Sequence, residues 1–519
     1  MPLKYTPAFS VAASLLSLAL LSGCASLPGL EERSPSSFLP IDEARETRLG
    51  QAASERAARH LGVSGLYLLD DPRGAFAARA LLAQAAERTL DVQYYIWEND
   101  LTGTLLIQAL LDAARRGVRV RLLLDDLGNS LPDNLLAALS EHPNIEVRLF
   151  NPFKYRKFKY LGFVTDFSRV NRRMHNKSFT ADNQATIVGG RNVGDEYFGA
   201  TDGTLFSDLD VLAIGPVVQE TSGDFDRYWA SGSAYPVRGL LADAAPDTLE
   251  NLWARTAHIK QQPKAQTYLK ALEENSTVTQ LLGGELDLVW APTHLLSDDP
   301  AKGLGEAPQK GHLIDQISSI IGGSERSLDI VSAYFVPTKH GTRLLTGLAN
   351  RGVNLNVLTN SLSATDVAMV HAGYAKWRKQ LLAAGISLFE MTSDEKNASP
   401  KASPAPLSSS STSLHAKTFA LDGETLFIGS FNFDPRSATL NTELGFLIED
   451  VGLAQALHRT FNDKIPARAY QVKLSEENDL YWVSRVDGQN KRYDTEPNTS
   501  WWKRQSVKFF ALLPIDWLL

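Results

Sequence analysis

The chain predicts an α/β protein built from two tandem, related α/β/α sandwich domains that share one site. Three observations carry that expectation. At 519 residues the chain is longer than a single hydrophobic core supports, so two domains are the default. One pattern occurs twice, as MHNKSFTADNQATIVGGRN from Met174 to Asn192 and as LHAKTFALDGETLFIGSFN from Leu414 to Asn432. Each half also runs through a strand, an amphipathic helix, a glycine turn and another strand, the order that makes a largely parallel sheet.

The elements follow in chain order. Lys4 precedes a short apolar run from Phe9 to Leu21, and Ser22 and Gly23 lead into Cys24. This reads as a secretory signal over residues 1–23, too short to be a membrane span. Cys24 is the only cysteine, which excludes an intramolecular disulfide and a cysteine-based zinc site. Leu21-Ser22-Gly23-Cys24 resembles a bacterial lipobox. That resemblance implies acylation of Cys24 and a membrane-anchored lipoprotein facing the periplasm, with Ala25 inclining toward the outer membrane. Residues 24–62 form a polar lead and a helix.

The first domain is expected over 63–245. Its strand RTLDVQYYIW (Arg88–Trp97) is followed by a helix, an Arg-Gly-Val turn and an apolar strand within Gly103–Asp126. Residues 246–285 read as a helical connector. The second domain, 286–470, repeats the order with RSLDIVSAYF (Arg326–Phe335) and Gly341–Asn360. Ser393–Ser413, rich in Ser and Pro, is expected to be a mobile loop. Residues 471–519 form a membrane-proximal tail. Ser500–Leu519 is dense in Trp, Phe and Leu, carries Lys503, Arg504 and Lys508, and is broken by Pro514. It reads as an interfacial element or as a tail docked on the core.

The doubled pattern carries the chemistry. His175 and Lys177, like His415 and Lys417, stand two residues apart on extended chain, so each imidazole shares a face with an ammonium. A phosphate oxygen is the natural client: lysine supplies charge, and histidine a nucleophile or a proton. After each pair the chain runs to a tight turn of small residues, Gly189-Gly190 or Gly429-Ser430, and then Asn192 or Asn432. Two such pairs brought to one pocket serve a two-step displacement at phosphorus, one histidine attacking and the other moving protons.

These motifs resemble the phospholipase D superfamily over roughly residues 63–470. The resemblance implies two phospholipase D-like domains about a pseudo-two-fold axis with the active site at their interface. His175 and His415 become the catalytic pair and form a phosphohistidine intermediate, with His175 favoured as nucleophile by analogy. Lys177, Lys417, Asn192 and Asn432 bind phosphate oxygens, with a further hydroxyl contact from Ser430 that Gly190 lacks. Asp182 and Asp422 complete the signature and are placed with the catalytic residues, a structural role being the alternative. A carboxylate following each motif is implied to orient that motif's imidazole: Glu443 in the second half, and Asp208, with Asp210 as the second choice, in the first. No cofactor and no metal are implied.

Composition leaves the substrate class open. A net charge of −7 gives no global nucleic-acid signal. The basic, aromatic segment Lys154–Lys177 suits nucleic acid or anionic lipid headgroups equally. GGRNVGDEYFGA, SDLDVLAIGPVV, AGYAKWR, FNFDPRSATLNTE and LLPIDWLL look like the bacterial cardiolipin synthase C type. That likeness implies a phosphatidyltransferase joining phosphatidylglycerol to a phosphatidyl group from phosphatidylglycerol or phosphatidylethanolamine, with no nucleic-acid partner. A phospholipase D releasing phosphatidic acid, or a secreted phosphodiesterase or nuclease, is the alternative.

Overall fold

The computed structural model describes residues 27–31, 33–199, 208–308, 310–365, 367–392, 414–486 and 489–513. Cys24, the signal segment and the Ser/Pro loop 393–413 lie outside the described residues. The chain folds into two large mixed sheets. The first holds β1 (Ser64–Leu69), β2 (Thr89–Tyr94), β3 (Arg119–Asp125), β4 (Ile145–Phe150), β5 (Ser178–Ala181), β6 (Ala185–Gly189), β7 (Asp210–Ile214), β8 (Ala234–Pro236) and β9 (Val289–Ala291). The second holds β10 (Thr293–Ser297), β11 (Ser327–Ser332), β12 (Asn354–Asn360), β13 (Ser387–Met391), β14 (Lys417–Leu421), β15 (Thr425–Gly429), β16 (Leu444–Glu449), β17 (Ala469–Leu474), β18 (Leu480–Val486) and β19 (Gln489–Tyr493).

The two sheets share one topology. The run β4-β3-β2-β5-β6-β7-β1 in the first matches β13-β12-β11-β14-β15-β16-β10 in the second. In both, the three strands joined through helices are parallel, and the motif strands add antiparallel. Local chemistry sets the crossovers. Asp100 caps the helix Leu101–Arg115 by accepting from the Gly103 N–H. Gly117 and Gly352 then end the two equivalent helices at φ 97° and 92°, a left-handed turn that a side chain would strain. The sheets meet through Leu66, Val188, Val211 and Ala213 against Leu426, Ile428, Phe446 and Ile448.

Two expected boundaries move. The second domain was expected to begin at 286, but Val289–Ala291 pairs with β1 in the first sheet, and the chain crosses at Pro292. The 246–285 connector contains three helices, Thr248–Lys260, Pro263–Glu274 and Thr277–Leu282. The tail expected from 471 instead continues the second sheet: β17, β18 and β19 pair in a meander out to Tyr493. Buried Trp482, donating to Glu390, shows why this stretch joins the core. The helix Trp501–Ala511 is what projects beyond it. No helix among the described residues is long and apolar enough to cross a membrane.

Candidate active site

Because β2–β4 and β11–β13 are parallel, their carboxyl ends gather at one side of each sheet, and the segments entering β5 and β14 arrive there. Those segments bring His175-Asn176-Lys177 and His415-Ala416-Lys417 to the same end. His175 Nδ1 lies 2.8 Å from Glu443 Oε2, and His415 Nδ1 lies 2.6 Å from Asp208 Oδ2. Each imidazole is therefore oriented by the carboxylate of the other half, which corrects the within-half pairing expected from the motifs. The cause is the sheet interface. The His175 N–H donates to the Thr442 carbonyl at 2.8 Å, and the Thr442 N–H to the Arg173 carbonyl at 2.9 Å. That backbone clasp sets Glu443, the next residue, against His175. Neither half alone contains its motif histidine together with the carboxylate that orients it.

The small-residue turns are explained by the same pairs. A Cβ on Gly190 would meet Asp208 Oδ1 at 2.1 Å, so the glycine makes room for the carboxylate. At the equivalent place Ser430 donates to Glu443 Oε2, and Ser437 donates to Glu443 Oε1 at 2.8 Å. The expected phosphate contact of Ser430 is thus corrected: its hydroxyl holds Glu443. Asp210, the second choice for orienting a histidine, is buried beside Arg79 at 2.8 Å and Arg191 at 3.3 Å and serves the core.

Lys177 and Lys417 each donate to the carbonyl of their own motif histidine. Asn192 Oδ1 accepts from the Ile96 N–H at 3.2 Å, which leaves its buried Nδ2 without a partner. Asn432 Oδ1 is likewise buried without one. The orphaned Asn192 Nδ2, a donor at a site crowded with cations, suits an anionic ligand.

Asp182 and Asp422 stand elsewhere. Each follows the far end of its motif strand, roughly 20 Å of extended chain from the histidine. Asp182 adopts φ 50° and accepts from the N–H groups of Glu87, Arg88 and Thr89; Asp422 adopts φ 54° and accepts from Glu325, Arg326 and Ser327. Their place among the catalytic residues is corrected to the structural alternative: they clasp the turns entering β2 and β11. Asp182→Ala is expected to cost about 3 kcal/mol of stability by stranding buried donors, with kcat per folded molecule retained. Denaturant unfolding together with turnover checks this.

Electrostatics separate the two histidines. Burial, reinforced by the Lys177 and Lys417 ammoniums, holds His175 well below the usual imidazole value. Burial and Lys417 lower His415 to about 4, opposed by Asp208. Burial pushes Glu443 up to about 7, with Lys177 opposing it. Burial works the same way on Asp208, but His415 and Lys417 overcome it and hold this carboxylate below its usual range. Burial also depresses both lysines, Lys177 most strongly. An arriving phosphate restores the missing counter-charge.

Sequence reasoning missed Tyr95 and Tyr197, whose rings meet His175 and His415 edge-on at centroid distances of 5.0 and 5.2 Å. Both come from the first half, so the repeat carried no signal for them. It also missed Asp125, which accepts from the Met174 N–H at 2.9 Å, and Asn360, which donates to the Leu414 carbonyl at 3.0 Å. These close β3 and β12 at equivalent places, a signal the aligned strands did contain.

Two half-sites completed across an interface, each with His, Lys, Asn and a borrowed carboxylate, define a phosphodiester-processing centre of the phospholipase D kind. The chain matches the family model described as "Cardiolipin synthase, PLD-like domain" over residues 79–229 and 317–465, and it belongs to that family. It is 48% identical over 472 residues to Cardiolipin synthase C of Escherichia coli (strain K12), covering 91% of this chain and all of that one. It is 25% identical over 392 residues to Cardiolipin synthase B of Escherichia coli O6:H1, covering 75% of this chain and 78% of that protein. A phosphatidylserine synthase of Haemophilus influenzae has the same fold, with a TM-score of 0.56 at 12% identity over 90% of this chain and all of that one.

Proposed function

We propose that the protein is a phosphatidyltransferase that makes cardiolipin, with phosphatidylglycerol as acceptor and phosphatidylglycerol or phosphatidylethanolamine as donor. The crossed pairs His175–Glu443 and His415–Asp208 carry this reading, and the 48% identity to Cardiolipin synthase C supports it.

His175, neutral and with its Nδ1–H held by Glu443, attacks the donor phosphorus through Nε2. The bond from phosphorus to the headgroup oxygen breaks, and that oxygen takes a proton from His415. The substrate's negative charge raises the His415 affinity for that proton, and ionised Asp208 stabilises the imidazolium. Phosphatidyl-His175 remains. A glycerol hydroxyl of phosphatidylglycerol gives its proton to His415 and attacks phosphorus, the P–N bond breaks, and cardiolipin leaves. Lys177, Lys417, Asn192 and Asn432 hold the phosphoryl oxygens throughout. His415 suits proton shuttling because it is the more accessible ring, its side chain 27% exposed against 9% for His175.

The test is product analysis. Protein in detergent is incubated with phosphatidylglycerol, with and without phosphatidylethanolamine, and the lipids are resolved by mass spectrometry. Cardiolipin is expected, and any ethanolamine dependence names the donor. Phosphatidic acid without cardiolipin would make the enzyme a hydrolase.

A pH dependence follows from Glu443. When protonated it donates to His175 Nδ1, which forces the proton of the neutral ring onto Nε2 and blocks attack. Activity is therefore expected to rise through about pH 7 as Glu443 ionises. Stability runs the other way. The folded-state value lies above the unfolded one of 4.5, so the folded protein holds the extra proton, and this group's contribution falls as pH rises from about 4.5 to 7. The pH profile of kcat/KM checks the first and denaturant unfolding across that window the second; an acid limb unchanged in Glu443→Gln would contradict the assignment.

For location, residues 1–23 act as a signal and Cys24 carries acyl chains, anchoring the enzyme in a periplasm-facing membrane, with Ala25 favouring the outer one. Cys24→Ser is expected to move the protein into the salt-washed soluble fraction. Retention in that wash would mean that the apolar segment is uncleaved or that another surface holds the membrane.

A further inference from the structure

The catalytic end of the molecule carries two exposed apolar surfaces that the reaction does not use. After β4 the chain leaves the sheet, makes the short helical turns Arg156–Leu161, Gly162–Thr165 and Phe167–Val170, and returns as the His175 segment. Phe158, Tyr160, Leu161, Val164 and Phe167 face solvent here, Val164 at 83% exposure. The excursion is firmly rooted: the Asn151 side chain donates to the carbonyls of Arg172 and Gly303, and Arg156 and Lys159 pair with Asp126. The second surface is the helix Trp501–Ala511. Val507 seats it against Leu362 and Ala372, just beyond the carboxyl end of β12, while Trp501, Trp502, Phe509 and Leu512 stay exposed. Together the two segments hold nine of the thirteen exposed large apolar side chains among the described residues. A soluble surface scatters such residues; gathering them at one end marks a binding face.

The N-terminal lead runs along β3 and β4. Asn183, in the turn farthest from the histidines, donates to the Leu39 carbonyl. From there, reading upstream, Arg119 donates to the Ser37 carbonyl, Arg121 to Ser36 and Arg148 to Ser34, a ladder that climbs β3 and β4 toward their carboxyl ends. Arg33 then donates to the Ser231 carbonyl, beside Ser233, whose carbonyl holds the Asn151 N–H. Arg33 also closes a turn onto the Leu30 carbonyl, which fixes the described part of the lead against the first sheet.

We propose that this end is a membrane-docking face: the 151–173 excursion and the 501–512 helix seat on an anionic phospholipid bilayer. The proposal rests on the lipid-transferase reading. Exposed Lys157 and Lys508 stand among the apolar side chains with no ion pair among the described residues, which suits anionic headgroups, and tryptophan favours the interface. A nucleic acid fits less well. Lys154 and Arg169 are engaged by Asp166, Arg156 by Asp133 and Asp126, and Lys159 by Asp126, which leaves few cations for a phosphate backbone.

The test uses the full chain in a Cys24→Ser background, which removes the sole cysteine. Val164→Cys, Leu512→Cys and Leu61→Cys are each labelled with an environment-sensitive fluorophore; Leu61 is 87% exposed but precedes β1 at the opposite end. On adding phosphatidylglycerol–phosphatidylethanolamine vesicles, a blue shift is expected at 164 and 512 and none at 61. No shift at 164 and 512, an equal shift at 61, or a shift at 164 given by a single-stranded oligonucleotide and not by vesicles would each overturn the proposal. Val164→Asp and Trp502→Asp should lower turnover several-fold on vesicles and leave turnover on detergent-dispersed lipid unchanged; equal loss in both would overturn it. Missing turnover in detergent with the vesicle shifts intact would sink the transferase reading and leave the docking face standing.

Discussion

His175→Ala is expected to abolish phosphatidyl transfer while leaving the fold intact, with kcat lower by at least about 10^4-fold because the covalent route is lost rather than slowed. The side chain is dispensable for stability. It sits among cations that depress its charge, and it is no part of the apolar clusters that join the sheets. Its clasp to the other half runs through the backbone N–H, which alanine keeps. His415→Ala removes the proton shuttle instead. Its deficit in headgroup release should shrink sharply on a donor whose leaving group needs no proton, such as phosphatidyl-p-nitrophenol, whereas that of His175→Ala should not. First-turnover headgroup release from the two donors, with circular dichroism as the control for folding, measures both. Activity of either variant near that of the wild type would remove the two-histidine mechanism.

The crossed pairing makes a second large prediction. Glu443→Gln and Asp208→Asn should each lose on the order of 10^3- to 10^4-fold by freeing an imidazole and its tautomer. The pattern matters more than the size. Glu443 lies in the second half yet should behave like His175, with no relief from the activated donor. Asp208 lies in the first half yet should behave like His415 and be relieved. Pairing within each half would give the reverse assignment. Because Ser430 and Ser437 both donate to Glu443, Ser430→Ala should produce a milder version of the Glu443→Gln defect.

Much of the architecture was legible in the sequence because it is written twice. The glycine turns at Gly117 and Gly352, the helices before them and the motif strands repeat at matching places, and the sheets repeat in the same strand order. The histidines, lysines and asparagines were legible for the same reason. What stayed hidden is what the repeat does not encode. Motif order says nothing about which carboxylate reaches which ring, since that depends on a backbone clasp between Thr442 and His175. Ser430 looked like a phosphate ligand because its partner, Glu443, lies across a turn in space. The β9 strand and the β18–β19 hairpin sit at sheet edges where the halves differ, so neither boundary had a counterpart to be read against. Asp182 shares a motif with His175, but a strand's length separates their work.

The most direct measurement is the site of the covalent intermediate. His415→Ala is mixed with phosphatidyl-p-nitrophenol without acceptor lipid, quenched in alkali to preserve the P–N bond, and mapped by peptide mass spectrometry. One phosphatidyl group per chain on His175 is predicted, absent from His175→Ala and persisting when phosphatidylglycerol is added, because the base that activates the acceptor hydroxyl is missing. An adduct on His415 in the His175→Ala protein, or sustained transfer with no adduct on either histidine, would contradict the account.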